Sequence, residues 1–140
     1  MRAHCLPLVA LLALGCSEAE RPRFVDETHE GRLESGDLVL EQDGSYYDRY
    51  AFQAKEGDRI LVTMESTEID SVLALFDSQS QQLAANDDEI EVGGDRNSRI
   101  EILAPKDDVY TVVANAVHSG ETGAYVVRIR TSAGQAAAAR

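Results

Sequence analysis

The chain has 140 residues, with 25 acidic and 13 basic side chains, so its formal net charge at pH 7 is −12. This length suits one domain with a single core, and an all-β domain of about 100 residues lies within the usual range. So acidic a surface repels nucleic acid and anionic lipid headgroups, which argues against nucleic acid as a partner and against polyanions as ligands.

The first 15 residues are typical of a secretory signal. A short basic start precedes a mostly apolar run of nine residues from Leu6 to Leu14, too few to cross a bilayer of roughly 30 Å. Residues 12–16, LALGC, resemble a bacterial lipobox, in which a peptidase cuts before an acylated cysteine. The resemblance implies that Cys16 becomes a lipid-bearing N-terminus, with palmitate among its acyl chains. Ordinary secretion with an unmodified Cys16 is the alternative.

The predicted mature chain is a lipid-anchored envelope protein without a free thiol. Cys5 leaves with the signal and Cys16 is acylated, so no cysteine remains for a disulfide, a metal site or a nucleophile. The loss of one arginine makes the mature charge 12 − 25 = −13. Ser17 favours the outer membrane, by the same resemblance to lipoproteins. Residues 16–30 contain few large apolar side chains and are predicted to be a flexible tether.

Residues 31–131 carry the period-two alternation of half-buried strands. The first strand is predicted to end at the turn around Gly36, with residues 38–40 as its extension. Residues 70–88 predict a hairpin with an acidic exit loop, in which Asp70 and Asp77 close turns. No stretch has a helical period with caps, and residues 132–140 are predicted to fray as a disordered tail.

About eight short strands separated by turns predict an all-β, jelly-roll-like antiparallel β-sandwich. Side chains at alternating positions of these strands are expected to face the core. These predicted core residues are Tyr50, Phe52, Ile60, Val62, Leu73, Leu75, Ile100, Ile102, Tyr110, Val112, Tyr125 and Val127.

Eight short elements follow one another in an order that resembles the bacterial pre-peptidase C-terminal domain, a jelly-roll-like sandwich common beside secreted proteases. They lie at residues 31–37, 48–52, 56–58, 70–77, 83–88, 97–100, 109–112 and 123–127. The resemblance covers residues 31–131 and implies a protease-associated accessory domain.

A catalytic constellation does not stand out in the sequence. His29 lies in the predicted tether and His118 in a predicted turn, and neither an HExxH nor a GxSxG motif occurs. Abundant carboxylates on an acidic surface do not define a general acid and base pair. The sequence therefore predicts that the protein is not an enzyme.

An acidic loop offers one candidate metal site. Asp87, Asp88 and Asp95 lie among further acids and asparagines between two predicted strands, and calcium prefers such oxygen ligands. In the alternative interpretation, the aspartates accept backbone N–H groups in turns and the other acids face water. Both interpretations stay open at this point, and calcium is the only cofactor considered.

Tyr46 and Tyr47 are the candidate binding residues, because tyrosine combines contact area with a hydroxyl group. Either ring alternatively covers the end of the core. The sequence thus predicts a non-catalytic, envelope-anchored lipoprotein whose sandwich binds a protein or polysaccharide partner. The alternative function is a structural spacer or chaperone-like partner of a secreted protease.

Overall fold

The computed structural model describes residues 23–87 and 97–134. In these ranges the chain forms nine strands and no helix. The strands are β1 (Asp26–Leu33), β2 (Leu38–Val39), β3 (Tyr46–Ala54), β4 (Arg59–Glu65), β5 (Ser71–Phe76), β6 (Gln82–Asn86), β7 (Ser98–Leu103), β8 (Asp108–Ala116) and β9 (Gly123–Ser132).

Two antiparallel sheets form the molecule, one of four strands in the order β1-β9-β4-β7 and one of five in the order β2-β3-β8-β5-β6. The predicted all-β sandwich is therefore confirmed. The described residues contain no helix with the length and apolar character that crossing a membrane requires.

The core lies between the two sheets and consists of the inward side chains of alternating positions. Ten of the twelve predicted core residues are buried, and the other two, Tyr50 and Ile102, are half-buried at its border. Leu33, Met64 and Ile129 are fully buried as well, although the prediction omitted them. Each large apolar side chain contributes about 1.5–3 kcal/mol on full burial, so the core supplies the main favourable free-energy term of folding.

The first strand begins earlier than the sequence predicts. Residues 26–30, assigned above to the tether, belong to β1 and pair with β9, with Asp26 opposite Arg130. Glu27 and His29 occupy inward positions of β1, so the apolar alternation typical of a strand is missing. Backbone pairing with β9 holds this segment instead, and the domain starts at Asp26 rather than Gly31.

Strand β2 does not extend β1, so the expectation that residues 38–40 continue the first strand is wrong. The backbone turns at Gly36, where φ is 109°, and the Glu34 N–H donates to the Asp37 carboxylate at 2.7 Å. Glycine adopts this left-handed conformation without a steric penalty. The chain then enters the other sheet, where β2 pairs with β3.

The predicted hairpin of residues 70–88 is confirmed as β5 and β6, which pair in antiparallel fashion. Asp77 closes its turn by accepting the N–H groups of Gln79 and Gln81, each at 2.9 Å. At the other end of the domain, β9 reaches Ser132, one residue beyond the predicted boundary. The predicted signal, residues 16–22 of the tether and residues 135–140 of the tail lie outside the described residues.

Candidate binding surface

The two candidate tyrosines do not share a face of the sandwich. Because they are consecutive in β3, their side chains point to opposite sides of the sheet. Tyr46 packs against the core, whereas Tyr47 is half-buried on the outer side. Of the predicted pair, only Tyr47 lies on the outer surface of the sheet, and its role in binding stays a prediction.

The outer side of the five-stranded sheet is one continuous surface, which we term the five-strand face. Register pairs Tyr47 with Asn115 and Arg49 with Val113 across β3 and β8. The face consists of Leu38, Tyr47, Arg49, Ala51, Gln53, Val72, Ala74, Phe76, Gln82, Ala85, Val109, Thr111, Val113 and Asn115.

The composition of the five-strand face differs from that of the chain as a whole. Its strand positions carry no carboxylate and one charged side chain, Arg49, in a chain with 25 acids. Leu38 is 47% exposed and Val109 is 41% exposed, so apolar surface reaches solvent at two of its borders. The centres of protein interfaces are depleted of acids and lysine and enriched in aromatic residues and arginine. The five-strand face has this composition.

The dimensions of the five-strand face suit contact with another macromolecule. Five strands spaced about 4.8 Å apart span about 19 Å, and a nine-residue strand is about 30 Å long. The largest apolar patch of an ordinary monomer covers about 300–600 Å², and each side of a standard interface buries about 800 Å². The five-strand face therefore provides a large part of one standard contact surface.

Hydrogen bonds hold the border of the five-strand face next to Tyr47. Asn115 is buried, and its Nδ2 donates to Ser45 Oγ at 3.0 Å. Ser45 in turn donates from its hydroxyl and its backbone N–H to the Asp43 carboxylate, at 2.5 and 2.9 Å. These bonds lower the pKa of Asp43. A surface fixed in this way loses less conformational entropy when a partner binds.

The outer side of the four-stranded sheet, here termed the four-strand face, carries arginines and carboxylates at nine of its sixteen positions. Glu101 contacts Arg59 at 3.1 Å and Arg99 at 2.8 Å, and the hydrogen bond from Arg99 lowers the pKa of Glu101. The face consists of Asp26, Thr28, Glu30, Arg32, Arg59, Leu61, Thr63, Glu65, Arg99, Glu101, Leu103, Ala124, Val126, Arg128, Arg130 and Ser132. The two faces of the sandwich thus present different chemistry.

The predicted calcium ligands fall mostly outside the described residues. Asp88 and Asp95 lie in the segment 88–96, whereas Asp87 is exposed and its carbonyl oxygen accepts the Ser98 hydroxyl at 3.2 Å. Residues 23–87 and 97–134 contain no group of three or more histidine, cysteine or acidic side chains placed to hold a metal. The calcium site stays a prediction. Cys16, the predicted lipidation site, also lies outside the described residues.

Comparison with known families identifies the domain. The sequence profile of the bacterial pre-peptidase C-terminal domain matches residues 46–116, from the start of β3 to the end of β8. This match covers 71 of the 140 residues. The chain belongs to the bacterial pre-peptidase C-terminal domain family. The matched segment contains every strand of the five-strand face except β2. No curated protein matches the sequence.

Solved structures share the fold of this pre-peptidase C-terminal domain at low sequence identity. PliG of Aeromonas hydrophila, a periplasmic inhibitor of g-type lysozyme, is 14% identical with a TM-score of 0.57, over 76% of this chain and 86% of PliG. PliG of Salmonella Typhimurium is 18% identical with a TM-score of 0.51, over 76% and 91%. The pre-peptidase C-terminal domain of Bacillus anthracis collagenase is 14% identical with a TM-score of 0.52, over 77% and 90%.

Sequence reasoning missed most of the five-strand face of this pre-peptidase C-terminal domain. A signal was present in β5, because the segment SVLALF is apolar at every position after Ser71, and in β8 Val113 adds an apolar outward position between Thr111 and Asn115. Such runs indicate strands that are apolar on both sides. In a two-layer sandwich only one side of each sheet meets the core, so the second apolar side must face outward.

Proposed function

We propose that this chain is a non-catalytic binding module of the bacterial cell envelope and that the five-strand face holds a protein partner. The main observation in support is that the strand positions of the five-strand face carry no carboxylate, although the chain has a net charge of −12. Burying an unpaired carboxylate at an interface is costly. A surface whose strand positions carry no acid, with acids such as Asp43 only at its borders, therefore suits contact with another protein.

The partner that we propose presents an apolar surface with one carboxylate opposite Arg49. Arg49 lies among apolar and neutral side chains, so its guanidinium group meets no competing acid within the face. Arginine pairs with a carboxylate through two parallel hydrogen bonds, which fixes the orientation of a partner. Two of the solved structures of similar fold are lysozyme inhibitors, which supports a protein rather than a polysaccharide as the partner.

The described histidines support a non-catalytic role. The ring of His29 stacks on that of Tyr50, with centroids 4.4 Å apart, and its Nε2 contacts the Glu27 carboxylate at 3.0 Å. His118 is exposed in the turn between β8 and β9. The two histidines therefore act separately, and His29 contributes to packing.

Site-specific photocrosslinking tests the proposed surface. A benzoylphenylalanine at Val109 of the five-strand face is expected to trap one protein in intact envelopes. The matched control carries the same group at Leu103 of the four-strand face, which is 58% exposed against 41% for Val109. Arg49→Glu should abolish the Val109 adduct, whereas Arg128→Glu should leave it intact. Equal adducts from both positions, or an adduct that survives Arg49→Glu, would refute the proposal.

We also propose that Cys16 anchors the module to the envelope, and specifically to the outer membrane. The LALGC sequence and Ser17 support this anchor. Attachment that lasts needs more than one acyl chain, as lipoproteins have. Cys16→Ser is expected to release the protein from the membrane fraction and to remove the acyl chains from its intact mass. An unmodified, freely soluble wild-type protein would contradict the anchor.

A second candidate function is that of an accessory partner of a secreted protease. Membership of the pre-peptidase C-terminal domain family and the similarity to a collagenase domain favour it. The photocrosslinking experiment separates the two candidates, because it identifies the trapped protein by mass spectrometry. A protease in the adduct supports the accessory role, and a protein of another class supports the general binding module.

A further inference from the structure

The arginines of the four-strand face gather on three neighbouring strands. Arg59 lies on β4, Arg99 on β7, and Arg128 and Arg130 on β9, and we term these four residues the arginine cluster. Thr63 of β4 pairs with Arg99 on one side and with Arg128 on the other. Strand pairing therefore brings together four guanidinium groups that are far apart in the sequence.

The arginine cluster has more positive charge than the carboxylates beside it neutralise. Glu101 contacts Arg59 and Arg99, and Asp26 contacts Arg130 at 3.4 Å. Arg128 forms no ion pair with any carboxylate of residues 23–87 and 97–134. Among the groups in ion contact, four arginines and two carboxylates give 4 − 2 = +2. Over the whole four-strand face, which adds Arg32, Glu30 and Glu65, the balance is 5 − 4 = +1 on a chain of net charge −12. The face is therefore slightly basic within an acidic protein.

An open groove of about 450 Å³ crosses the arginine cluster. Its lining includes three arginines of the cluster, two carboxylates and two large apolar side chains: Arg59, Arg99, Arg130, Asp26, Glu101, half-buried Leu61 and Phe24, which is 37% exposed. Arg128 lies on the same face beside the groove. Apolar side chains offer contact to the flat face of a sugar ring, while guanidinium groups bind its charged substituents. The groove thus combines the two kinds of contact that an acidic sugar needs.

We propose that the arginine cluster is a second binding site, for a glycan that carries carboxylate or phosphate groups. All four positions hold arginine rather than lysine, and the planar guanidinium group matches both oxyanions through paired hydrogen bonds. The net charge of −12 repels a densely charged chain such as nucleic acid. Sparse charges on a glycan are affected less, because salt screens interactions beyond about 8–10 Å. This proposal is independent of the partner on the five-strand face.

Calorimetric titration with defined polymers tests the site. The probes are phosphomannan against neutral mannan, and sparsely substituted glucuronoxylan against its carboxyl-reduced form, so that phosphate and carboxylate are examined separately. At least one acidic glycan is expected to bind, and its neutral counterpart to fail. Arg99→Gln with Arg128→Gln should weaken binding by about tenfold or more, as loss of charge-assisted contacts predicts. Arg32→Gln, on the same face but outside the arginine cluster, where the side chain contacts Glu68 at 3.7 Å, is the matched control and should leave the affinity unchanged.

Removing a carboxylate provides the complementary test. Glu101 competes with the ligand for Arg59 and Arg99, so Glu101→Gln should tighten binding of the acidic glycan. A gain in affinity cannot result from misfolding. Thermal melting of each variant shows whether a loss of affinity results from misfolding instead of from the lost contact. Failure of both acidic glycans to bind, an equal loss in Arg32→Gln, weaker binding by Glu101→Gln, or tighter binding of a single-stranded DNA probe would each overturn the proposal.

Discussion

The hydroxyl groups of Tyr50 on β3 and Tyr125 on β9 lie 2.5 Å apart and join the two sheets of the sandwich. Tyr125 donates its proton to a carboxylate oxygen of Asp48. Since each hydroxyl has one proton, Tyr50 must be the donor to Tyr125. The ring of His29, from β1, stacks on the ring of Tyr50. A polar link therefore closes the sandwich at the border of β1 and β3.

Loss of the central hydroxyl of this link should destabilise the fold. Tyr125→Phe leaves the Asp48 carboxylate and the Tyr50 hydroxyl without their partner and is expected to lower the free energy of unfolding by about 1–3 kcal/mol. Urea denaturation measures this change. Tyr47→Phe is the control, because Tyr47 lies on the five-strand face, and should change stability by less than about 0.5 kcal/mol. Equal effects of the two substitutions would contradict the assigned link.

The same two tyrosines predict a loss of stability in alkali. Burial raises the pKa of Tyr50 and of Tyr125, and the Asp48 carboxylate raises both further. Tyrosine in the unfolded chain ionises near pH 10, so their contribution is complete below about pH 10 and is lost as the pH rises above it. The urea midpoint should therefore fall between about pH 10 and pH 11.5, and less steeply in Tyr125→Phe. If the urea midpoint falls equally steeply with pH in Tyr125→Phe and in the wild type, the two tyrosines do not cause the loss of stability in alkali.

The sequence predicts the fold well where apolar residues alternate. Ile60 and Val62 are buried on β4 as their period requires, because inward positions of a sandwich strand must be apolar. The prediction fails in β1, whose inward Glu27 and His29 are polar. Pairing with β9 defines that strand, and a partner almost 100 residues away leaves no local signal.

The binding surfaces are harder to predict than the fold for the same physical reason. Tyr47 stood out by its chemistry, but assigning it to one face with Arg49 requires knowing which side of β3 meets the core. The net charge of the sequence does not reveal the arginine cluster, because the cluster forms only when β4, β7 and β9 pair. Local sequence indicates strands and turns, whereas tertiary pairing decides which charges meet.

The turn of the β5–β6 hairpin predicts a loss of stability in acid. Hydrogen bonds from Ser78 lower the pKa of Asp108 to about 2, and the N–H of Gln81 contributes most to the lowered pKa of Asp77. Lys106 contacts both carboxylates, at 3.4 and 3.6 Å. Unfolded aspartate ionises near pH 4, so this stability is present above about pH 4 and is lost as the pH falls toward 2.

Urea midpoints measured between about pH 5 and pH 2 examine this acid dependence. Asp108→Asn should reduce the dependence of the urea midpoint on pH, because the asparagine side chain does not ionise. Asp26→Asn is a suitable control, since its side chain is 75% exposed and its ion pair with Arg130 belongs to the surface. The same flattening in both variants would show that general surface charge, and not the hairpin turn, causes the effect.

Phe52 is expected to be among the most sensitive core positions. Its side chain is 4% exposed, and its ring lies 5.9 Å from that of Tyr110 across the β3–β8 pair. Phe52→Ala removes buried contacts and leaves a cavity, so it should cost about 3–5 kcal/mol. Leu103→Ala, at a side chain that is 58% exposed, should cost little. Thermal or urea unfolding compares the two, and near-zero change at Phe52 would mean that this face of β3 is reversed.

Gly31 gives the most specific test of the β1–β9 pairing that the sequence did not reveal. A Cβ atom at Gly31 would lie 2.3 Å from the hydroxyl oxygen and 2.4 Å from the ring of Tyr125, its partner in the register. Because Tyr125 is buried and held by Asp48, the ring cannot move aside without strain. Gly31→Ala should therefore destabilise the fold by about 1–3 kcal/mol, as overpacking does. Thr28→Ala, at an exposed position of the same strand, is the control.

A double-mutant cycle separates this steric contact from the loss of backbone freedom that any alanine brings. Tyr125→Leu removes the ring that the new methyl group meets, so Gly31→Ala should cost clearly less in that background than in the wild type. Residues in direct contact show coupling energies of about 0.5–3 kcal/mol, whereas independent sites add within about 0.5 kcal/mol. Purely additive effects in urea denaturation would mean that Gly31 and Tyr125 do not touch, and the register of β1 on β9 would then have to be reassigned.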